Sequence, residues 1–186
     1  MSYLDDTELT NLGLKYLGKN VKISHSAQIY GSDKISIGDN SRIDDFVVLS
    51  GEIEIGRNVH IAVHSSITAS VNKITLEDFS GVSFGCHIFG SSEDYTGVAL
   101  TNPTVPPKYR KNVPGKNVRL GRHVVIGASS VVFPGVDIAD GCSIGANSTV
   151  TKSTEPWGIY VGSPAKKINT RSKELLKYEE MYLKGI

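Results

Sequence analysis

Residues 120–151 read LGRHVV, IGASSV, VFPGVD, IADGCS, IGANST, VT when cut into sixes, and this stretch decides the fold. An aliphatic residue opens every unit: Leu120, Ile126, Val132, Ile138, Ile144 and Val150. Gly121, Gly127, Ala139 and Gly145 follow it in most units. Val124, Ser130, Val136, Cys142 and Ser148, small or β-branched, stand four places after it. A period of six fits neither an amphipathic helix nor a simple alternating strand. It fits short strands wound into a β-helix, one flat face per unit, with the aliphatic residue in the core and the small residue filling the corner. No coil of such a repeat buries its apolar side alone, so the coils stand by stacking.

The same register runs upstream. ISHSAQ from Ile23 is a fair unit and IYGSDK from Ile29 a degenerate one. IGDNSR, IDDFVV, LSGEIE, IGRNVH and IAVHSS then follow from Ile37. Residues 71–75 add three residues over one unit, which predicts a small bulge. LEDFSG and VSFGCH resume the register before it stops at Ile88. Residues 89–117 hold most of the prolines and no sixes, with Asp94, Tyr95, Asn102 and Tyr109 among them. A long insertion that breaks a rigid repeat maps to a functional face. The expected organisation is therefore an N-terminal helical segment (1–20), a β-helix (21–165) with its inserted loop (89–117), and a helical tail (166–186).

Two helices are expected at the flanks. Leu9, Leu12, Leu14 and Leu17 make an apolar side over residues 7–17, with Asp5, Asp6 and Thr7 as cap candidates and Gly18 as a stop. Leu175, Leu176, Tyr178, Met181 and Tyr182 make another over residues 172–183, capped by Ser172. That second face reads as core, closing the end of the β-helix or docking on a neighbouring subunit.

The 186 residues suit one domain with a substantial core. A net charge of +1 offers no field for nucleic acid or an anionic membrane surface. No apolar run approaches the roughly 20 residues that span a bilayer. The opening MSYLDDTELTNLG is acidic and unlike a secretion signal, so a cytoplasmic location is expected. Cys86 and Cys142 both occupy the small corner position and read as buried free thiols. The histidines show no metal-ligand spacing, and no P-loop is present.

The sixes, the loop SSEDYTG…LTNPTVP and the tail GSPAKKINTR together resemble the hexapeptide-repeat acyltransferases. The likeness is strongest to galactoside and maltose O-acetyltransferases and to acetyltransferases of surface-polysaccharide pathways. It spans roughly residues 23–171. It implies an all-β, left-handed parallel β-helix of triangular section, assembled as a homotrimer. It implies acetyl-CoA as the donor, bound in the groove between subunits, and no metal. By position, the family's CoA contacts fall on Ala128, Ala146, Thr151, Lys152 and Arg171. Lys152, Lys166, Lys167 and Arg171 suit the phosphates.

Acyl transfer from a thioester needs a base for the attacking group and a donor for the oxyanion. The family is thought to use a histidine near the long loop. His87, just before it, is the leading candidate, with His60 at the equivalent outward position of an earlier unit. The family's histidine position within the loop is taken here by Glu93 and Asp94. Either a shifted histidine serves, or a carboxylate replaces it, or an amine acceptor needs little base. Three functions are therefore in view. The first is O-acetylation of a sugar hydroxyl. The second is N-acetylation of a nucleotide-linked amino sugar. The third is a non-catalytic or metal-dependent β-helix. The acceptor is a small sugar or nucleotide sugar in the first two.

Overall fold

A computed structural model describes residues 2–111 and 113–185. The chain winds into a parallel β-helix of about seven coils with three flat faces. Along one face Lys22–Ile23, Arg42–Ile43, His60–Ile61, Gly81–Val82, Val125–Ile126 and Ser143–Ile144 stack in parallel, and Gly158–Val161 completes the column. The antiparallel strand Lys166–Thr170 closes that sheet. The second face stacks Gln28–Tyr30, residues 48–50 and 66–68, His87–Phe89, Val131–Val132 and Thr149–Val150. The third stacks Tyr16–Leu17, Ile35–Ile37, residues 53–55 and 74–76, Val118–Leu120 and Asp137–Ile138.

The register explains the sixes. Ile43, Ile61, Val82, Ile126 and Ile144 pair in turn down the first face, all buried. Leu49, Ile67, Ile88, Val132 and Val150 do so down the second. The corner positions Val124, Ser130, Val136, Cys142 and Ser148 are buried as well. Where glycine follows the aliphatic residue, neighbouring coils can touch closely: a Cβ on Gly127 would lie 2.5 Å from the Ala146 nitrogen of the next coil. Cys86 and Cys142 are buried free thiols, and burial pushes the Cys86 thiol above its ordinary pKa.

The three surplus residues at 71–75 are absorbed as the spacing predicts. Val48–Ile55 pairs with Ser66–Leu76, and the register shifts between Ser50 and Glu52. Ser70 takes φ +57 at that corner.

The flanking helices are shorter than their apolar patterns suggest. The first, α1, is Asp6–Asn11, capped by a reciprocal box between Asp5 and Glu8. Gly13 at φ +64 turns the chain out of it, and residues 16–17 then join the third face as its first strand. Leu14 and Leu17 belong to the coil instead, and pack with Leu9 and Leu12 on the core. The C-terminal helix, α2, is Leu175–Lys184, and Ser172, whose hydroxyl accepts from the Glu174 amide, stands two residues before the N-cap position. None of its residues is buried, so its apolar side is not core. It lies across the coils rather than over their end: the Tyr182 hydroxyl donates to Asn58, 124 residues earlier.

Candidate active site

The insertion leaves and re-enters at one corner. The Gly90 amide donates to the Thr68 carbonyl, and the Lys116 amide donates to that of Gly90. The Lys73 amide donates to the Asn117 side chain at 3.1 Å, tying the loop to the bulged strand. Between these anchors the loop holds a short 3-10 turn at Pro107–Tyr109 and a bridge from Leu100 to Arg110. The loop root and the bulge enclose a crevice of about 380 Å³ lined by Ser70, Asn72, Ser92, Glu93, Arg110 and Lys111, with others. Asn72 Nδ2, Ser92 Oγ and Arg110 Nε are buried here without hydrogen-bond partners among the described residues. Such groups are costly unless something pairs with them.

Asp94 stands at the root of the loop and is 7 % exposed. Its Oδ1 accepts from the Thr96 hydroxyl at 2.7 Å and the Thr96 amide at 3.1 Å. Lys111 Nζ is 3.9 Å away. The Thr96 side-chain hydrogen bond, helped by the Thr96 amide and Lys111, holds the carboxyl below its ordinary pKa against desolvation. Its other oxygen, Oδ2, is buried and has no hydrogen-bond partner among the described residues. Glu93 is exposed on the lip of the crevice, so the two neighbouring carboxylates have different surroundings.

The histidine candidates are dispersed. His87 faces outward on the second face, exposed, with Nδ1 2.8 Å from the Ser66 hydroxyl. His60 is on the first face, around a corner from His87. Its Nε2 is 2.7 Å from the Oδ2 of Asp44, a carboxylate only 1 % exposed, and 2.8 Å from Arg42. His25 is exposed near Glu8. His123 is buried, stacks on Phe79 and pairs with Glu179 of α2 at 2.9 Å. It anchors the helix, a role that sequence spacing across 56 residues does not reveal.

The positions aligned with CoA contacts divide in two. Ala128 and Ala146 are successive members of one corner column, since the Asn147 amide donates to the Ala128 carbonyl. Thr151 and Lys152 are exposed at the next corner. Arg171 is already committed: its Nη1 donates to the His123 and Gly141 carbonyls at 2.6 and 3.1 Å, and burial lowers its pKa. Lys167 pairs with Glu155 at 2.6 Å, whereas Lys166 is exposed. Among the described residues no group of His, Cys, Asp and Glu could hold a metal ion. None of the described helices is long and apolar enough to cross a membrane.

Two family models match the repeat: "Hexapeptide repeat of succinyl-transferase" over residues 117–152 and "Bacterial transferase hexapeptide (six repeats)" over 34–69. A dTDP-4-amino-4,6-dideoxy-D-glucose acyltransferase of Escherichia coli is 45% identical over 98% of this chain and 95% of its own. The chain belongs to the hexapeptide-repeat acyltransferases. Among solved structures, the N-acyltransferase AntD of Bacillus cereus, in complex with dTDP and 3-hydroxybutyryl-CoA, is similar to this acyltransferase. The TM-score is 0.96 at 41% identity, covering 99% of this chain and 97% of that one. A variant of AntD with dTDP-4-amino-4,6-dideoxyglucose and coenzyme A gives 0.94 at 40%, covering 100% and 99%.

Proposed function

We propose that this acyltransferase moves an acyl group, acetyl in the first instance, from acyl-CoA to the amino group of a dTDP-linked 4-amino-4,6-dideoxy sugar. The observation that carries the reading is near full-length similarity, at 40–45% identity, to one enzyme named for that substrate and another bound to it. It favours the amino sugar over the sugar hydroxyl that the O-acetyltransferase resemblance suggests first.

The site chemistry agrees with an amine. A hydroxyl needs a base able to hold its proton, the role His87 would fill. A free amine attacks a thioester carbonyl unaided if it is oriented and unprotonated. Asp94 has a depressed pKa, so it is charged at neutral pH and a poor final holder of a proton. It is well suited to accept a hydrogen bond from the amine through its unpartnered Oδ2. As the C–N bond forms and the C–S bond breaks, the departing thiolate, with a thiol pKa of about 8.5, is the stronger base and takes the proton the nitrogen sheds. Arg110 and Lys111 offer positive charge for the acceptor's diphosphate, and Asn72 and Ser92 can meet sugar hydroxyls. Exposed Lys152 and Lys166 suit the phosphates of CoA better than Arg171, with Ala128, Ala146 and Thr151 along the pantetheine track. The donor groove lies between subunits of a homotrimer in this reading.

The test is an acceptor screen with acetyl-CoA, following CoA release. Turnover is expected with dTDP-4-amino-4,6-dideoxyglucose and not with sugars bearing only hydroxyls; acetylation confined to the latter would overturn the reading. Asp94→Asn is expected to lower kcat/KM about ten- to a hundredfold, the worth of a hydrogen bond to a charged group. His87→Asn is expected to stay within about threefold of wild type, and a loss of about a hundredfold or more would return the base to His87.

A further inference from the structure

One corner column of the β-helix changes character at a single coil. The Gly85 amide donates to the Val63 carbonyl, the Ser129 amide to that of Phe84, and the Asn147 amide to that of Ala128. Val63, Phe84, Ala128 and Ala146 thus occupy the same place in four successive coils. The two C-terminal members are small, and Phe84 is large and 60 % exposed. The turn beneath it is also unusual. In the coils on either side the left-handed residue carries a side chain, His64 at φ +61 and Ser129 at φ +58. In the Phe84 coil that residue is Gly85 at φ +62, and a Cβ there would meet only the Ser129 hydroxyl, at 3.8 Å. Bulk at this corner has moved from the turn residue to the residue before it, onto the outer surface of the column.

The proposed donor site gives the column a direction, and the role of Phe84 depends on that proposed function. The cations for the CoA phosphates, Lys152 and Lys166, belong to the last coils. The reacting carbon must reach Asp94, whose buried Oδ2 has no hydrogen-bond partner among the described residues. The loop bearing Asp94 starts beyond His87–Phe89, a strand of about 10 Å that itself begins three residues after Phe84. A pantetheine arm running from the phosphates toward Asp94 passes Ala146, then Ala128, and meets Phe84 next.

We propose that Phe84 is the acyl-size determinant: its ring ends the small-residue track beside the thioester and admits acetyl while excluding longer acyl chains. A pocket wall of this kind discriminates by the added methylenes it cannot accommodate.

The experiment compares wild type, Phe84→Ala and Phe84→Leu as full chains with acetyl-, butyryl- and hexanoyl-CoA. It measures kcat/KM with the dTDP-amino sugar and, separately, the affinity of each acyl-CoA by calorimetry. Phe84→Ala is expected to raise the butyryl-to-acetyl ratio of kcat/KM about ten- to a hundredfold. The affinities should follow the same order, with Phe84→Leu between. An unchanged ratio in both variants overturns the proposal, as does a change of subunit assembly by sedimentation with no change of ratio. If wild type neither binds nor uses any acyl-CoA, the acyltransferase reading itself fails, an outcome distinct from an unchanged ratio in an active enzyme.

Discussion

Single side chains in this protein do most of their work by tying one coil to another. Asp78 is an example. Its Oδ1 accepts from the Arg57 amide at 2.7 Å, its Oδ2 accepts from Arg57 Nη2 at 2.8 Å, and Arg122 approaches at 3.4 Å. Burial pushes the Asp78 carboxyl up, but the hydrogen bonds from Arg57 outweigh it and leave the pKa below the ordinary value. The folded state therefore binds this proton less readily than the unfolded chain. The stabilisation is present above the unfolded carboxylate value and is lost as pH falls through the lower, folded one. Asp78→Asn is expected to cost about 1 kcal/mol at neutral pH. Denaturant titrations at a series of pH values should show the gap between wild type and variant closing below about pH 4. Asp94 belongs to the same scale. Its position in the loop was legible in the sequence, but its difference from Glu93 was not. That difference is burial and the Thr96 hydrogen bonds, which a linear reading of two adjacent acids cannot separate.

At the scale of elements, the turns and the C-terminal helix carry the information that periodicity alone leaves out. Gly141 sits at φ +74 with the Trp157 ring against it, so that a Cβ would lie 2.4 Å from Cδ2. Its carbonyl is one of the two that hold Arg171, where the chain turns toward α2. Gly141→Ala is expected to lower stability by about 2–4 kcal/mol, from left-handed strain plus overpacking. Gly97→Ala, at φ +75 in open space, should cost only the strain, about 1 kcal/mol. Thermal melts of the two variants check the difference. The sequence offers the apolar side of α2 but not its place. Glu179 meets Arg122 and His123, and Tyr182 packs edge-on against Phe79, all across long separations. Those partners lie on coils whose outward residues follow no repeat, so no pattern announces them.

The whole molecule behaves as a stack. Ile126 is fully buried between Val82 and Ile144, in the middle of its column. Ile126→Ala is expected to cost about 2–5 kcal/mol, read as a lower denaturant midpoint with an unchanged slope. Ile29, only partly buried on an early coil, should cost less when cut to Ala. Coil contacts are nearest-neighbour, so a loss at the centre splits the stack more than a loss at its end.

The amino-acid sequence by itself determined the β-helix, its register, the buried thiols and the bulge at 71–75. A repeat of six makes each core position answer to the same local demand, an aliphatic residue inside and a small one at the corner, so the pattern is local and readable. The tertiary structure alone decided which acid is buried, that Arg171 is spent on backbone carbonyls, that His123 anchors α2, and that Phe84 stands in line with Ala128 and Ala146. The first rests on how the loop folds around Asp94, and the other three depend on contacts between elements tens of residues apart. Stacking creates those neighbours, and nothing in the spacing of outward-facing residues records them.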